Sequence, residues 1–154
     1  MVNAKNGGEG SARNRKPYSH EATKARRNDG NEIGRVVVNC AMRLHMELGP
    51  GLLETVYEVI LVHMLRHTGL KVELQVPIPI DFHGIRFDEG FRADIFVEDK
   101  VILELKSVEK FNNAHKKQVL TYLKLTNKKL GYLLNFGGAL MKDGIYRVLN
   151  GQVE

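Results

Sequence analysis

The sequence lacks the features that mark exported, membrane-spanning or disulfide-stabilised proteins. It has one cysteine, Cys40, which cannot form an internal disulfide and lies among apolar residues at helical spacing, as a core residue would. No apolar run approaches the length of a membrane span, and residues 1–30 lack the hydrophobic stretch of a secretory signal. We therefore expect a cytoplasmic protein without a membrane segment.

Several catalytic signatures are missing as well. No Cys and His cluster supports zinc binding, no glycine-rich loop is present to bind phosphate, and Ser, Cys and His show no pattern of an activated nucleophile. His45 and His115 are interpreted as ordinary polar residues. Any catalytic chemistry must therefore come from other groups, and the carboxylates are the first to consider.

The charge is distributed unevenly along the 154 residues. The formal net charge is +5, but residues 1–30 hold seven Lys and Arg against three Asp and Glu, and the remainder holds 16 against 15. A hydrophobic fraction of 43% suits one globular domain with a sizeable core. We predict a disordered basic tail at residues 1–30 and one folded domain at residues 31–154. The tail can strengthen binding to phosphate, or it can simply be solvated.

The hydrophobic patterns predict an α/β domain in the order helix, helix, three strands, helix, strand. Predicted helices cover 33–48, 53 to a stop at Thr68-Gly69, and 112 or 113 to about 126; predicted strands cover 72–81, 91–97, 101–106 and 131–136, with a short edge at 145–149. Period-two alternation predicts two apolar faces, one made of Val72, Leu74, Val76, Ile78 and Ile80 and the other of Phe91, Ala93, Ile95 and Val97.

One predicted hairpin brings three charged residues together. Glu104 and Lys106 share a face of their strand, and a three-residue loop at Glu98-Asp99-Lys100 would place Asp94 directly across from Glu104. Directly opposed side chains have Cβ atoms roughly 4.5–5.5 Å apart. Because two like charges at that separation repel each other, we expect a cation between them.

Two kinds of cation would neutralise this pair. Mg²⁺ or Mn²⁺ takes carboxylate oxygens and keeps waters for a substrate or nucleophile. Lys106 would then hold the attacking water or a phosphate oxygen. Alternatively, Lys106 is itself the cation, and the three residues form an ordinary cross-strand salt bridge. The spacing alone leaves both interpretations open.

These residues also resemble a known signature. Asp94, followed by Glu104-Leu105-Lys106, is similar to the D…ExK pattern of the PD-(D/E)XK nuclease superfamily, although Ala93 stands where the motif's name has Pro. Residues 51–57 resemble the motif that names the GxxExxY family within it. Three further segments, residues 47–54, 131–136 and 142–145, are also similar to sequences of this family. The resemblance therefore covers about residues 32–150.

The resemblance implies a restriction-endonuclease-like core, in which helices flank a central mixed sheet. It implies a nuclease that hydrolyses phosphodiester bonds of nucleic acid with Mg²⁺ or Mn²⁺. Asp94 and Glu104 would bind the metal, with the backbone carbonyl of Leu105 as an extra ligand, and Lys106 would serve the nucleophile. Glu54 would supply a further acidic ligand from the first core helix, although a solvated glutamate near a helix start fits equally well.

Gln118 and Tyr122 are spaced i, i+4 and share one face of their helix. They match a QxxxY element of many relatives, in which they would touch substrate phosphate or support Lys106. They could instead cap the sheet edge. Tyr57 is interpreted as a core residue with a bonded hydroxyl.

A second class of function stays open. A non-catalytic module that binds nucleic acid or a protein partner could keep the same fold. The sequence does not distinguish DNA from RNA as the partner, and it leaves open a homodimer or a separate protein partner.

Deletion of residues 1–29 should leave the melting temperature nearly unchanged, because these residues carry charge but few large apolar side chains. The same deletion should weaken binding to polyanions at low salt, where unscreened charges matter most. Thermal unfolding and heparin affinity of the full and shortened chains test both statements. A large loss of cooperative unfolding in the shortened chain would contradict the assignment of a separate tail.

Overall fold

The computed structural model describes residues 29–153, and its helices and strands follow the predicted order. The helices are α1 (Gly30–Leu48), α2 (Glu54–His67) and α3 (Asn113–Thr126). The strands are β1 (Val72–Phe82), β2 (Ile85–Val97), β3 (Val101–Lys106), β4 (Leu130–Asn135) and β5 (Ile145–Leu149), with a short 3-10 helix at Met141–Gly144. The predicted tail lies outside the described residues, apart from Asp29, the N-cap of α1, and Gly30, its first residue. Deletion of residues 1–29 would therefore also remove this cap, whereas deletion of residues 1–28 would spare it.

The helix ends follow from local chemistry. The Asp29 carboxylate caps α1 by accepting a hydrogen bond from the Asn31 N–H at 2.8 Å. Gly49, with a positive φ of 71° that suits glycine, ends the helix, and its N–H donates to the His45 carbonyl at 2.8 Å. Asn112 caps α3, as one of the two predicted alternatives, with its side chain accepting from the His115 N–H. No helix within residues 29–153 is long and apolar enough to cross a membrane.

The five strands form one mixed sheet in the order β1-β2-β3-β4-β5. The pair β3–β4 is parallel and the other pairs are antiparallel. On one face, α1 and α2 pack into the larger core cluster with strand residues such as Ile95 and Leu103. On the other face, Leu123 of α3 packs with Phe96 and Ile102 in a smaller cluster. The predicted α/β class, with a central mixed sheet flanked by helices, is confirmed.

The hairpin between β2 and β3 has the predicted loop. Val97 pairs with Val101 and Ile95 with Leu103, which leaves the three residues 98–100 in the turn. Glu98 and Asp99 both have φ of 52°, and the Lys100 N–H donates to the Val97 carbonyl at 3.0 Å. Asp94 and Glu104 lie one position beyond the Ile95–Leu103 pair, where the two strands begin to separate.

The hairpin between β1 and β2 does not keep the predicted alternation. Val72, Ile95 and Val97 pack into the larger core cluster. The side chains of Val76, Ile78, Phe91 and Ala93 instead belong to the smaller cluster on the opposite face. Both predicted apolar faces, Val72 to Ile80 and Phe91 to Val97, were therefore wrong. The hairpin is also longer than predicted, because β2 begins at Ile85.

The apolar side chains of this hairpin change from one face of the sheet to the other at Gln75. Leu74 pairs with Ile95 and Val76 with Ala93, so the register is unchanged on either side and no residue is inserted. Gln75 itself has φ of 52°, a left-handed conformation in the middle of a strand. Such a conformation interrupts the extended backbone and costs a non-glycine residue about 1–2 kcal/mol. The distal part of the hairpin therefore turns toward the α3 side of the sheet.

Tyr57 fixes the loop that precedes α2. Its hydroxyl donates to the Gly49 carbonyl at 2.6 Å and accepts from the Leu52 N–H at 3.2 Å. Its ring stacks on Phe136 with centroids 4.5 Å apart. The interpretation of Tyr57 as a core residue with a bonded hydroxyl is confirmed. The Ser107 hydroxyl donates to the Leu52 carbonyl at 2.7 Å, which ties the same loop to the segment after β3.

Asn135 fixes the segment after β3 from the other side. Its side-chain oxygen accepts from the N–H groups of Val108 and Gly137, each at 3.0 Å, and its amide donates to the Val108 carbonyl at 2.8 Å. The Phe136 N–H donates to the Lys106 carbonyl at 2.8 Å. The backbone at and after Lys106 is therefore held by hydrogen bonds from the end of β4.

Gly137→Ala should destabilise the protein by about 1–3 kcal/mol through overpacking. A Cβ at Gly137 would lie 2.3 Å from the Val108 carbonyl oxygen and 2.4 Å from its nitrogen, and backbone atoms cannot move aside cheaply. Gly138→Ala is the matched control, because a Cβ there meets no atom closer than 4.0 Å. Urea denaturation of both variants measures the difference. Equal midpoints for the two variants would contradict the packing argument.

Candidate metal centre

Side chains from four elements converge where β2 separates from β3. Asp94 comes from β2, Glu104 and Lys106 from β3, and Glu54 from the first turn of α2. Gln75 reaches the same place from β1 and contacts Asp94. The structure thus brings together the charged residues that the sequence analysis selected.

Among these carboxylates, Glu104 lies in the environment that least favours ionisation. It is 6% exposed, and its Oε2 is buried without a hydrogen-bond partner among residues 29–153. Its Oε1 lies 3.9 Å from the Lys106 Nζ. Burial is the main reason that the pKa of Glu104 rises to about 8; the charge of Asp94 raises it further, and Lys106 lowers it.

Asp94 is held by the backbone of the neighbouring strand. Its Oδ2 accepts a hydrogen bond from the Leu105 N–H at 2.9 Å, and its Oδ1 lies 3.5 Å from the Gln75 Nε2. Burial raises the pKa of Asp94; the Leu105 hydrogen bond opposes that change, and the Glu54 charge adds to it. The contact that Leu105 makes is through its N–H, whereas the resemblance implies a role for its carbonyl.

Two glutamates of α2 contribute charge to the same place. Glu54 is half-buried, and its charge raises the pKa of both Asp94 and Glu104. Glu58, one turn further along, is 6% exposed and accepts a hydrogen bond from the Gln75 amide. Burial raises the pKa of Glu58, and the Gln75 hydrogen bond lowers it.

Glu58 and Gln75 were not predicted as site residues from the sequence. Glu58 lies four residues after Glu54 and next to the core residue Tyr57, a position that a helical wheel could have placed at the edge of the buried face. Gln75 had no such signal, because its left-handed backbone cannot be read from the residues around it.

Gln118 and Tyr122 form a pair on α3. The Gln118 amide donates to the Tyr122 hydroxyl at 2.6 Å, and the Tyr122 ring stacks on Phe91 with centroids 3.8 Å apart. Burial raises the pKa of Tyr122, and the Glu104 charge raises it further. The hydroxyl therefore lies within electrostatic reach of Glu104, on the α3 side of the sheet.

The carboxylates of the candidate centre fit a metal ion that keeps several of its water ligands. Within residues 29–153, no three His, Cys, Asp or Glu side chains are arranged as a ready set of metal ligands. Mg²⁺ keeps several waters and is commonly bound through one or two carboxylates. The unpartnered, buried oxygen of Glu104, beside the Asp94 carboxylate, suits such an ion. Glu54 also lines a cavity of about 600 Å³ that extends to Ser107 and Glu109.

The comparisons with known proteins place the chain in a family. The family model of the PD-(D/E)XK nuclease superfamily matches residues 31–148, from α1 into β5, a span that includes every residue of the candidate centre. No curated protein and no solved structure matches the chain. The chain belongs to the PD-(D/E)XK nuclease superfamily.

Proposed function

We propose that this protein is a metal-dependent nuclease that hydrolyses phosphodiester bonds in nucleic acid. The observation that carries the proposal is the buried Glu104 carboxyl, which has an oxygen without a partner in the described part of the chain and lies next to Asp94. A buried carboxylate is costly unless it is paired. Nucleases of this superfamily generally use divalent metals, and such an ion would supply the missing positive charge.

The loop before α2 supports assignment to the GxxExxY family. Gly51 has φ of 96°, a conformation that favours glycine. Tyr57 holds this loop through its hydroxyl, and Glu54 between them contributes charge to the candidate centre. Each of the three residues that define the motif therefore has a separate physical task in placing an acidic group beside Asp94 and Glu104.

The salt-bridge interpretation of Lys106 accounts for less of this geometry. The Lys106 Nζ lies 3.9 Å from one oxygen of Glu104, which is at the outer limit for an ion pair. The other oxygen keeps no partner within residues 29–153, and the pKa of Glu104 stays raised despite the lysine. One lysine cannot neutralise Asp94, Glu104 and the two α2 glutamates when all four carboxylates are ionised. A divalent ion together with the lysine comes closer to balancing these negative charges.

The chemistry follows from the positions of the side chains. Bound Mg²⁺ or Mn²⁺ would polarise a phosphoryl oxygen and favour ionisation of the attacking water. Asp94 and Glu104 would hold the ion, with Glu54 as an additional acidic ligand. Lys106 would donate to the attacking water or to a non-bridging phosphate oxygen and offset the charge that develops there. Gln118 and Tyr122 would contact the phosphate from the α3 side.

Lys106→Ala should separate catalysis from ion binding. We expect the variant to stay folded and to bind Mn²⁺ within a few-fold of the natural protein, because Asp94 and Glu104 remain. Cleavage should fall by about 100-fold or more, since a charge-offsetting donor is lost. Calorimetric titration with Mn²⁺, thermal unfolding and cleavage of a panel of DNA and RNA substrates give the three quantities. Lys142→Ala, at an exposed position, is the control.

The outcomes distinguish the classes of function. Reduced stability of Lys106→Ala that Mn²⁺ does not restore would favour the salt bridge. Tight binding of Mn²⁺ by the natural protein without cleavage of any substrate would favour a non-catalytic binding module. If the natural protein binds no divalent ion, the nuclease assignment is wrong.

Stability without metal should fall as the pH rises from about 4.5 to 8. The pKa of Glu104 is raised from 4.5 to about 8, so the folded state keeps a proton that the unfolded state has released. The stabilisation is fully present below pH 4.5 and is lost as the pH passes the folded value; it amounts to at most on the order of 5 kcal/mol. Mn²⁺ should bind more tightly over the same range, because it displaces that proton.

Urea denaturation at several pH values, with and without Mn²⁺, tests this dependence. Glu104→Gln is the matched control, since it keeps the shape of the side chain but cannot titrate. We expect this variant to lose most of the slope and the effect of Mn²⁺ on stability. The same slope in both proteins would show that Glu104 is not the group that titrates.

A further inference from the structure

Gln75 combines an unfavourable backbone with a specific set of contacts. Its φ of 52° lies in the left-handed region, inside a strand whose ladder pairs on both sides keep the same register. Residues other than glycine, asparagine and aspartate rarely adopt this conformation. A local outlier of this kind persists where the surrounding structure holds it, and such outliers are concentrated at functional sites.

The side chain of Gln75 joins two carboxylates from different elements. Its Nε2 donates to the Glu58 Oε1 of α2 and lies 3.5 Å from the Asp94 Oδ1 of β2. One amide group has two N–H donors, so it can serve both carboxylates at once. Both of these hydrogen bonds are with acidic groups at the candidate centre.

The backbone of Gln75 is held as well. Its carbonyl accepts a hydrogen bond from the Arg92 Nη1 at 3.4 Å, and Arg92 is itself paired with Glu89 at 2.7 Å. The left-handed residue lies where the hairpin changes face, between the part that packs against α1 and α2 and the part that packs toward α3. Gln75 lies across from Asp94 in the ladder, and with its left-handed backbone the amide reaches both Asp94 of β2 and Glu58 of α2.

We infer that Gln75 is a positioning residue that spans Glu58 and Asp94 and fixes the Asp94 carboxylate for binding a divalent cation. The inference rests on the proposed function, since it assumes that Asp94 binds the ion. Hydrogen bonds from the amide favour the ionised form of both carboxylates, which is the form that a cation requires. Asp94 is then restrained on two sides, by Gln75 at one oxygen and by the Leu105 N–H at the other.

Two substitutions separate the side chain from the backbone. Gln75→Asn keeps an amide and tolerates the left-handed conformation, but it is one methylene too short to span both carboxylates. Gln75→Gly tolerates the conformation and removes the side chain. We expect both variants to unfold cooperatively, because relief of the left-handed backbone offsets the loss of the hydrogen bond to Glu58. Their dissociation constant for Mn²⁺ should rise by about 10- to 100-fold, the typical effect of losing a group that orients a metal ligand.

His83→Asn is the matched backbone control. His83 also has a left-handed φ, of 51°, and it is exposed in the turn between β1 and β2. Relief of its backbone should raise the melting temperature without changing the affinity for Mn²⁺. The measurements are thermal unfolding without metal and calorimetric titration of each protein with Mn²⁺.

Four results can overturn or support the inference. Weaker binding of Mn²⁺ by both Gln75 variants, with unchanged binding by His83→Asn, supports it. Unchanged binding by the Gln75 variants overturns it and leaves the proposed function intact. Loss of cooperative unfolding in both variants also overturns it, because Gln75 would then be a structural residue. Absence of binding by the natural protein overturns the inference and the proposed function together.

Discussion

Negative charge buried where β2 separates from β3 is the constraint on which the rest of this structure depends. Asp94 and Glu104 lie one position beyond the last pair of the ladder, and Glu54 and Glu58 add charge from α2. Glu58 and Glu104 are each only 6% exposed, so either carboxylate needs a donor or a cation when it is ionised. The protein supplies one backbone N–H, one amide and one lysine to this group. These donors leave the Glu104 Oε2 without a partner among residues 29–153.

The surrounding fold holds these groups on two sides. Tyr57 and Ser107 tie the loop before α2, so the helix that carries both glutamates starts in a fixed position. Asn135 holds the segment that follows Lys106. A site held by such contacts keeps its geometry before a ligand arrives, which reduces the cost of ordering it on binding. The hydrogen bonds of Tyr57, Ser107 and Asn135 therefore hold the backbone around the candidate centre.

The sequence predicted the parts of the site that depend on local pattern. Turn length and alternation were enough to pair β2 with β3 and to bring Asp94, Glu104 and Lys106 together. The hydrogen bonds of Asn135 with Val108 and those of Gln75 with Glu58 and Asp94 could not be predicted, because they join elements distant in sequence. The alternation rule itself failed beyond Ile95, since it assumes an extended backbone at every residue and Gln75 departs from it.

The alternation rule fails at Gln75, and the unpartnered oxygen of Glu104 lies in the same candidate centre. A sequence selected for stability alone would not keep a left-handed glutamine in a strand, nor a carboxyl whose pKa rises to about 8 in the core. Each departs from what its own surroundings favour. A bound divalent ion would compensate both, because it neutralises the carboxylates that Gln75 helps to aim. Binding to the folded state alone also stabilises that state by mass action. On the proposed function, the left-handed Gln75 and the raised pKa of Glu104 would both be consequences of a site arranged to bind a divalent ion.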